Sequence, residues 1–487
     1  MNSIVVLIGV VVTLFTGVPV AIQLLRTHPR GLFILFFAEM WERFSFYGMR
    51  GLLVFYLTQQ FLFDDAAANA TFGSYATLVY LMPLIGGVIA DRYLGARKAV
   101  AFGALLMVVG QAGMAIEGPP TQEVLGYHGA RYAFQVQGRG SDRQVRLKVD
   151  GHGYAFSNTA AGDFAIKNLP AGSPLPSVLP KGSFTTSKLG RSPVFVNLLY
   201  LALALIIMGV GFLKANISSL VGKLYPQGDP RRDPGFTLYY YGVNLGAFWA
   251  AVLCGYLGQN LGWAWGFGLA GVGMLAGYLT FVVGKPLLEG HGEPPDPVAL
   301  RRRRFGPLSL EMLTYVAAVA AVAVIWALVQ HNRIVGAALG VGWVAAILYV
   351  GHFWLTKCDK VQRERLLLAF VLLLGPIVFF TLFEQAATSL NLFADRNTQL
   401  TLIAAPIRFD LLGLPVFLGT KAMLAAAPAK ALWIDMGFSA AQVQSFNAGF
   451  ILIFAPLFAA LWTWLGRHRR DPNPMIKFGL GLGQVGL

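Results

Sequence analysis

The chain has 487 residues, of which 56% are hydrophobic and 13% are charged, and its mean hydropathy is +0.60. Soluble domains carry about 25% charged residues, so the composition excludes a soluble protein that encloses all of its apolar side chains. The net charge of +15 would suit a nucleic-acid partner, but the basic residues lie between apolar runs, as the positive-inside rule predicts. We therefore expect a protein of the lipid bilayer, with no nucleic acid bound.

The apolar runs are about 20 residues long, the length at which a helix crosses ~30 Å of hydrocarbon. The first run, 4–25, has neither a preceding basic residue nor an Ala-x-Ala-like cleavage site, so it is predicted as an extra membrane helix and not as a signal peptide. The further predicted helices are 31–62, 72–90, 98–116, 193–222, 236–256, 262–284, 311–330, 334–355, 366–394 and 442–465. A last apolar piece begins at Pro474, but the residues after it would form only about 20 Å of helix, too short to cross.

Basic linkers follow alternate predicted helices, and all of them fall on one side, which we assign to the cytoplasm. The opposite side receives two long segments, 118–191 and 395–441. In the first, polar and apolar residues alternate between glycines, which predicts a small β-rich insert. In the second, Lys421 and Lys430 argue against a further membrane helix, and its structure stays open.

The strongest functional signal is the sequence EMWERFSFYGMR, which places Glu39, Glu42, Arg43, Tyr47 and Arg50 inside a long apolar run. Spacings of three and four residues put most of these side chains on one helix face. An ionised side chain at membrane depth costs ~2.5–3.5 kcal/mol on insertion scales, so these groups must be paired or line a wet cavity. A functional face is therefore favoured over helix glue or interfacial snorkelling.

Polar residues recur in later apolar runs, at Lys214, Asn244 and Glu384. Glu384 lies about 11 residues, or ~16 Å, inside the run that Asp395 bounds. A carboxylate at that depth favours its neutral form unless it is paired, which makes Glu384 the best candidate for a proton carrier.

Nothing in the sequence points to an enzyme. The two cysteines, Cys254 and Cys358, give no disulfide or metal pattern. The chain shows no nucleophile triad, metal cluster or phosphate loop, and the glycine-rich GLGLGQVG is not a nucleotide fingerprint. No metal and no cofactor are expected.

These residues resemble the proton-dependent oligopeptide transporter family of the major facilitator superfamily, whose first helix carries the pattern E-x-x-E-R-F-x-Y-Y-G. The matching positions are Glu39, Glu42, Arg43, Phe44, Tyr47 and Gly48. Phe46 stands where the family has a tyrosine, which removes one phenol near the ligand.

Further stretches resemble later motifs of the same family, over roughly 28–117, 192–396 and 442–480. The matching residues are Tyr80 in the second helix, Asp91 and Arg92 in the following loop, Lys214, Asn216 and Ser218 in the fourth, Tyr239 to Gly246 in the fifth, Phe383 to Gln385 in the seventh and Asn447 in the eighth. Two positions where the family usually has proline carry Ala215 and Ala448.

The resemblance implies an all-α polytopic membrane protein with the major facilitator fold, including a six-helix N-terminal bundle, two extra helices and an incomplete C-terminal bundle. The small β-rich insert would lie in the periplasm. The expected divisions are 1–27 for the extra N-terminal helix, 28–117 for helices 1–3, 118–191 for the β-rich insert, 192–285 for helices 4–6, 286–310 for a cytoplasmic linker, 311–356 for the extra pair, and 357–487 for the partial C-terminal bundle with the exterior insert 397–441. Because the family has about four more helices, we expect a truncated gene product or a fragment.

The resemblance also implies a proton-coupled symporter that imports di- and tripeptides across the bacterial inner membrane by alternating access. The expected substrate-binding residues are Arg43, Tyr47, Tyr80, Lys214, Asn244, Glu384 and Asn447. The expected proton-coupling residues are Glu39, Glu42, Arg50 and Glu384, and the expected gating residues are Asp91 and Arg92. The partners would be small peptides, protons and the lipid bilayer, and the oligomeric state stays open.

Two other hypotheses are compatible with parts of the sequence. Related transporters of this architecture carry nitrate or other small anions, although Glu384 argues against a purely cationic pocket. A chain that lacks helices could instead transport nothing and act as an interaction protein, with the basic β-rich insert docking a partner.

Overall fold

The computed structural model describes residues 3–140, 143–428, 430–470 and 472–486, most of them helical. Nine helical stretches within this described part are long and apolar enough to cross a membrane, so the chain is a multi-pass membrane protein. The helix Arg30–Phe55 is outside that set, because every 18-residue window in it contains Glu39, Glu42 and Arg43. The contacts of Arg43 with Glu39 and Glu42 offset part of the cost of placing these charges inside the membrane.

The N-terminal half consists of the helices that precede residue 285. They are α1 Ile4–Arg26, α2 Arg30–Phe55, α3 Asp65–Ile89, α4 Gly95–Met114, α5 Pro193–Lys223, α6 Arg232–Asn260 and α7 Trp263–Gly284. Two single turns of π-helix, Tyr56–Gln60 and Ala90–Leu94, follow α2 and α3. We call the end of the bundle near Gln60 the insert face and the opposite end the linker face.

The remaining helices include a central pair, α9 and α10, and a C-terminal part that begins at α11. They are α8 Pro297–Arg301, α9 Leu310–Gln330, α10 Asn332–Thr356, α11 Lys360–Phe383, α12 Ser389–Asn397, α13 Ala440–Val443, α14 Ser445–Arg467 and α15 Pro474–Gly486. A short 3-10 turn, Glu384–Ala387, separates α11 from α12.

Helix α2 lies at the centre of the N-terminal half, where it packs against α6 and α7. Most of its residues are buried. The approach of α2 to α6 is closest at Gly246, where an added Cβ would stand 2.1 Å from the backbone oxygen of Met40. Such a contact is possible only without a side chain, so Gly246 sets the distance between these two helices.

The segment between α4 and α5 contains the strands that its alternating pattern predicts. They are β1 Gln122–Tyr127, β2 Ala130–Gln137, β3 Gln144–Val149, β4 His152–Tyr154, β5 Phe156–Asn158, β6 Phe164–Ile166, β7 Val178–Leu179 and β8 Phe184–Leu189. Two antiparallel sheets form, with strand orders β4-β3-β2-β1-β8 and β5-β6-β7. Leu147, Phe164 and Leu179 belong to an apolar core of their own, so the insert is a distinct β-domain.

Two smaller sheets complete the secondary structure. Strands β9 Arg303–Phe305 and β10 Leu308–Ser309 form a short hairpin before α9. The segment whose structure the sequence leaves open contains β11 Ile407–Leu411, β12 Leu414–Gly419 and β13 Leu432–Asp435. Strand β12 pairs antiparallel with β11 and parallel with β13.

The structure corrects two predicted helix boundaries. The helix predicted over 366–394 is not continuous, because Thr388 has a non-helical backbone (φ −125°, ψ −106°). Glu384 therefore lies at a break between two helices and not in a helix interior. The helix predicted over 72–90 begins earlier, because the Asp64 side chain accepts a hydrogen bond from the Ala67 amide at 2.8 Å and caps a new N-terminus.

Helix α1 packs against both α6 and α14. The Thr16 hydroxyl is 2.8 Å from the Tyr241 hydroxyl, and the Trp249 indole donates a hydrogen bond to Thr13 Oγ1 at 3.0 Å. Val5 joins an apolar cluster that contains residues of both partner helices. Helix α1 thus contacts one helix of the N-terminal half, α6, and one helix of the C-terminal part, α14.

Candidate functional site

A cluster of buried charges lies on α2 in the middle of the N-terminal half. Arg43 Nε is 3.2 Å from Glu39 Oε1 and also contacts Glu42 Oε2. Glu42 is fully buried, and Glu39 and Arg43 are 5% and 3% exposed. Two carboxylates share one guanidinium, so these three side chains together carry one negative charge when all of them are ionised.

Several polar atoms in this cluster lack a partner among the described residues. The atoms without a hydrogen bond there are Glu39 Oε2, Glu42 Oε1 and Arg43 Nη2. Buried polar atoms without partners are costly, and such atoms mark places where a proton or a ligand group can be gained.

Lys214 of α5 lies close to this cluster and carries a second cation. Its ammonium stands 5.9 Å from the Phe46 ring centroid and 5.6 Å from the Tyr80 ring centroid, while Arg43 stands 5.1 Å from the Phe46 ring. Aromatic faces attract cations at these distances. Phe46, at the position where the resembled family has tyrosine, is therefore close enough to stabilise both cations in part.

An ion pair connects the N-terminal half to the C-terminal part. Arg50 Nη2 of α2 donates to Glu384 Oε2 at 2.6 Å, and the Tyr80 hydroxyl donates to Glu384 Oε1 at 3.2 Å. Arg50 is buried, whereas the Glu384 side chain is 28% exposed. The helix break at Glu384 presents its carboxylate to α2 and α3, where Arg50 and Tyr80 contact it.

A cavity of about 280 Å³ lies beside this ion pair, between the two parts of the chain. Tyr47, Arg50 and Asn244 line it from the N-terminal half, and Asn447 lines it from α14. The cavity also has apolar walls, which alanines of α6, α13 and α14 provide. The lining therefore combines a few polar groups with apolar walls, as is typical of a small-molecule site.

The predicted site residues divide into two groups in the structure. Tyr47, Arg50, Asn244 and Asn447 line the same cavity, whereas Arg43 is occupied by carboxylates deeper in the bundle. The sequence reasoning missed Gln444 and Asn391, and it named Phe383 only as part of a motif; all three also line the cavity. Their signal was weak, because a single amide or ring in an apolar run is as often structural as functional.

The predicted gating residues lie at the linker face, in the π-helical turn between α3 and α4. Asp91 and Arg92 are both exposed, and no salt bridge involves either of them within the described residues. The nearby Arg97 is instead buried and donates to Glu293 at 2.5 Å and to the Lys285 carbonyl at 3.3 Å. Arg97 therefore attaches the segment after α7 to α4.

The insert face has polar contacts between the two parts of the chain. Gln59 and Gln259 donate hydrogen bonds to the two oxygens of Asp395 at 3.2 and 3.4 Å. Arg396 forms a bidentate pair with Asp65, at 2.6 and 2.9 Å. Burial raises the pKa of Asp395, while the charges of Arg143 and Arg396 lower it in part.

The sequence of the chain is similar to that of known membrane transporters. The model of the POT family matches residues 97–411. "Uncharacterized transporter YclF" of Bacillus subtilis (strain 168) is 30% identical over 470 residues, which cover 94% of this chain and 72% of that protein. "Peptide transporter YePEPT" of Yersinia enterocolitica is 30% identical over 473 residues, or 93% of this chain and 71% of that protein.

Solved structures of peptide transporters share the fold. A crystal structure of the peptide transporter POT in complex with sulfate has a TM-score of 0.59 at 29% identity, covering 94% of this chain and 72% of that one. A mutant of a peptide transporter POT in complex with alafosfalin has a TM-score of 0.60 at 29% identity, with the same coverage.

Proposed function

Because the chain belongs to the POT family, we propose that it is a proton-coupled symporter that imports di- and tripeptides by alternating access. It would lie in the bacterial inner membrane with the linker face toward the cytoplasm and the insert face toward the periplasm. The curated relatives named dipeptide and tripeptide permease or di-/tripeptide transporter support this substrate class.

The observation that carries the proposal is the cavity between the two parts of the chain. It combines the Arg50 guanidinium with the amides of Asn244 and Asn447 and the ring of Tyr47. A site between two bundles can open to either side of the membrane in turn. In the structure the cavity lies beside the Arg50–Glu384 ion pair, which joins the two parts near the insert face.

Recognition of a peptide would rest on its two charged ends. Arg43 and Lys214 would hold the carboxylate, and Asn244, Asn447 and Glu384 would hold the amino group. Since Glu39 and Glu42 already engage Arg43, the Lys214 ammonium is the cation that a peptide carboxylate would meet with less competition. Tyr47 and Tyr80 would add hydrogen bonds.

Proton coupling would act through carboxylates whose charge decides whether an ion pair forms. A proton on Glu384 would remove its attraction for Arg50 and release the contact between the two parts of the chain. A proton on Glu39 or Glu42 would free Arg43 to bind a peptide carboxylate. Asp91 and Arg92 would act at the cytoplasmic mouth, where their exposed position permits contact with another element when that mouth closes.

Replacement of Glu384 by glutamine tests the coupling. Glutamine keeps the shape of the side chain and one acceptor oxygen, but it neither carries a charge nor accepts a proton. We expect Glu384→Gln to abolish dialanine uptake driven by a pH gradient in liposomes and to spare exchange of dialanine at equal pH, because exchange moves no net proton.

The matched control is Glu364→Gln, an exposed carboxylate on α11, the helix that precedes Glu384, which should leave driven uptake intact. Driven uptake that survives Glu384→Gln unchanged would refute the coupling. If nitrate inhibits uptake and dialanine does not, the proposed substrate class is refuted.

A further inference from the structure

The β-domain between α4 and α5 is attached to the membrane helices at both of its ends. Near its start, Gln60 Nε2 donates to the Gly118 carbonyl at 2.5 Å, and the Thr121 amide donates to the Gln60 carbonyl at 2.8 Å. Near its end, Arg191 donates to the carbonyls of Phe61 and Leu62 at 2.8 and 2.9 Å. The domain is therefore fixed to the turn that ends α2.

A polar cavity of about 260 Å³ lies between this β-domain and the ends of the membrane helices. Arg139 and Arg143 line it from the β-domain, and Gln59 and Gln259 line it from the N-terminal half. The same two glutamines donate hydrogen bonds to Asp395 of α12. Two arginines of the β-domain and a carboxylate of the C-terminal part thus lie near the same pair of amides.

Within the described residues Arg143 and Asp395 form no direct ion pair, but their opposite charges lie close enough to influence each other. Asp395 is half-buried, and burial raises its pKa, while the positive charge of Arg143 acts in the opposite direction. Burial lowers the pKa of Arg143, and the carboxylate of Asp395 opposes that effect. Each charge therefore reduces the cost of burying the other.

We propose that the β-domain is part of the outer closure of the transport cycle, and that Arg143 is a positioning residue that holds Asp395 against Gln59 and Gln259 when the periplasmic mouth is shut. This role rests on the proposed function. When the C-terminal part moves away from α2 and α6, Asp395 leaves both the amides and Arg143. Opening then costs the attraction between Arg143 and Asp395 in addition to the hydrogen bonds.

Thiol labelling from the periplasmic side tests the proposal without requiring transport. A cysteine introduced as Ala394→Cys lies in the cavity between the two parts of the chain, and the native Cys254 and Cys358 are buried. In right-side-out membrane vesicles, a membrane-impermeant maleimide reaches Ala394→Cys through the periplasmic mouth. The chain without this substitution supplies the background rate.

We expect Arg143→Ala to raise the labelling rate about two- to fivefold, the change in open population that loss of a weak attraction between two opposite charges produces. Arg143→Lys should restore most of the slow rate, because it keeps the charge. This variant also shows whether faster labelling in Arg143→Ala comes from misfolding. The matched control is Arg139→Ala, which removes a charge from the same cavity wall and should leave the rate unchanged.

A double-mutant cycle identifies the partner. In the background of Asp395→Asn, Arg143→Ala should have no further effect, because the charge on which it acts is gone. An unchanged rate in Arg143→Ala, an equal rise in Arg139→Ala, or a full effect of Arg143→Ala beside Asp395→Asn would overturn the inference.

Two measurements separate this inference from the function on which it rests. A cysteine introduced as Ser157→Cys at an exposed position of strand β5 must react with the maleimide in the same vesicles. If this cysteine does not react, both the assigned orientation and the inference are overturned. Labelling that follows the expected pattern in a chain that takes up no dialanine would support the closure and refute the proposed transport of peptides.

Discussion

The Asp395 carboxylate lies half-buried at the insert face, with Arg143, Arg396 and the amides of Gln59 and Gln259 around it. Beyond Arg396 stands the carboxylate of Asp65. Burial raises the pKa of Asp395 more than the two guanidinium groups lower it. A carboxyl whose pKa is higher in the folded protein binds its proton more tightly there, so its contribution to stability is present below the unfolded pKa and is lost as pH rises through the folded pKa.

We therefore expect Asp395→Asn to change how stability depends on pH. The thermal midpoint of the parent should fall relative to that of the variant as pH rises from the acidic range to neutrality, and the two should converge at acidic pH. Thermal-unfolding scans of the purified parent and variant in detergent, across this pH range, measure the difference between their midpoints. Asp410→Asn, at an exposed position of β11, is the control, and a parent that gains stability over Asp395→Asn with rising pH would contradict the prediction.

Most residues of the candidate site were predictable because charge inside an apolar run has few structural explanations. The spacing of Glu39, Arg43 and Arg50 indicated one helix face, and the depth of Glu384 inside an apolar run singled it out as a candidate proton carrier. The engagement of Arg43 by two carboxylates was not predictable in detail, since spacing does not say which of several neighbours a side chain contacts.

At the scale of elements, the contact between α2 and α6 depends on a glycine. We expect Gly246→Ala to lower stability by about 1–3 kcal/mol, the usual cost of overpacking, because its Cβ would stand 2.1 Å from a backbone oxygen that has little freedom to move. Denaturant titration in mixed micelles measures the free energy of unfolding.

The control for this change is Gly340→Ala in α10, where an added Cβ meets nothing within 4 Å. That substitution should be neutral or stabilising by up to about 1 kcal/mol, because alanine restricts the unfolded chain. Equal losses at both positions would show that helix contact is not the cause.

The elements themselves were predictable to different degrees. Long apolar runs predicted the membrane helices, because the bilayer imposes their length, and alternation predicted the strands of the β-domain. The break at Thr388 gave no such signal, since neither glycine nor proline marks it. The sheet of β11, β12 and β13 includes a parallel pair, and parallel pairing depends on contacts distant in sequence.

At the scale of the whole molecule, the two parts of the chain meet at the insert face through pairs of unequal burial. Arg50 with Glu384 is mostly buried, whereas the side chains of Asp65 and Arg396 are 50% and 49% exposed. Solvent and salt screen exposed pairs, which contribute about 0–1 kcal/mol even when their geometry is good.

We accordingly expect Asp65→Asn to lower the free energy of unfolding by less than about 1 kcal/mol, and the difference to vanish in high salt. Denaturant titrations of the parent and of Asp65→Asn in mixed micelles, at low and at high ionic strength, compare their free energies of unfolding. A loss above about 2 kcal/mol that salt does not reduce would mean that this pair is a main connection between the two parts.

The position of α1 has a consequence for how the protein is made. Thr16 pairs with a tyrosine 225 residues later in the chain, and Thr13 with a tryptophan 236 residues later, so α1 leaves the ribosome long before either partner exists. During that interval the Thr16 hydroxyl has an acceptor in its own helix, the Val12 carbonyl at 2.7 Å. The helix can therefore enter the lipid alone, and its final neighbours join it only after α6 and α14 have been synthesised.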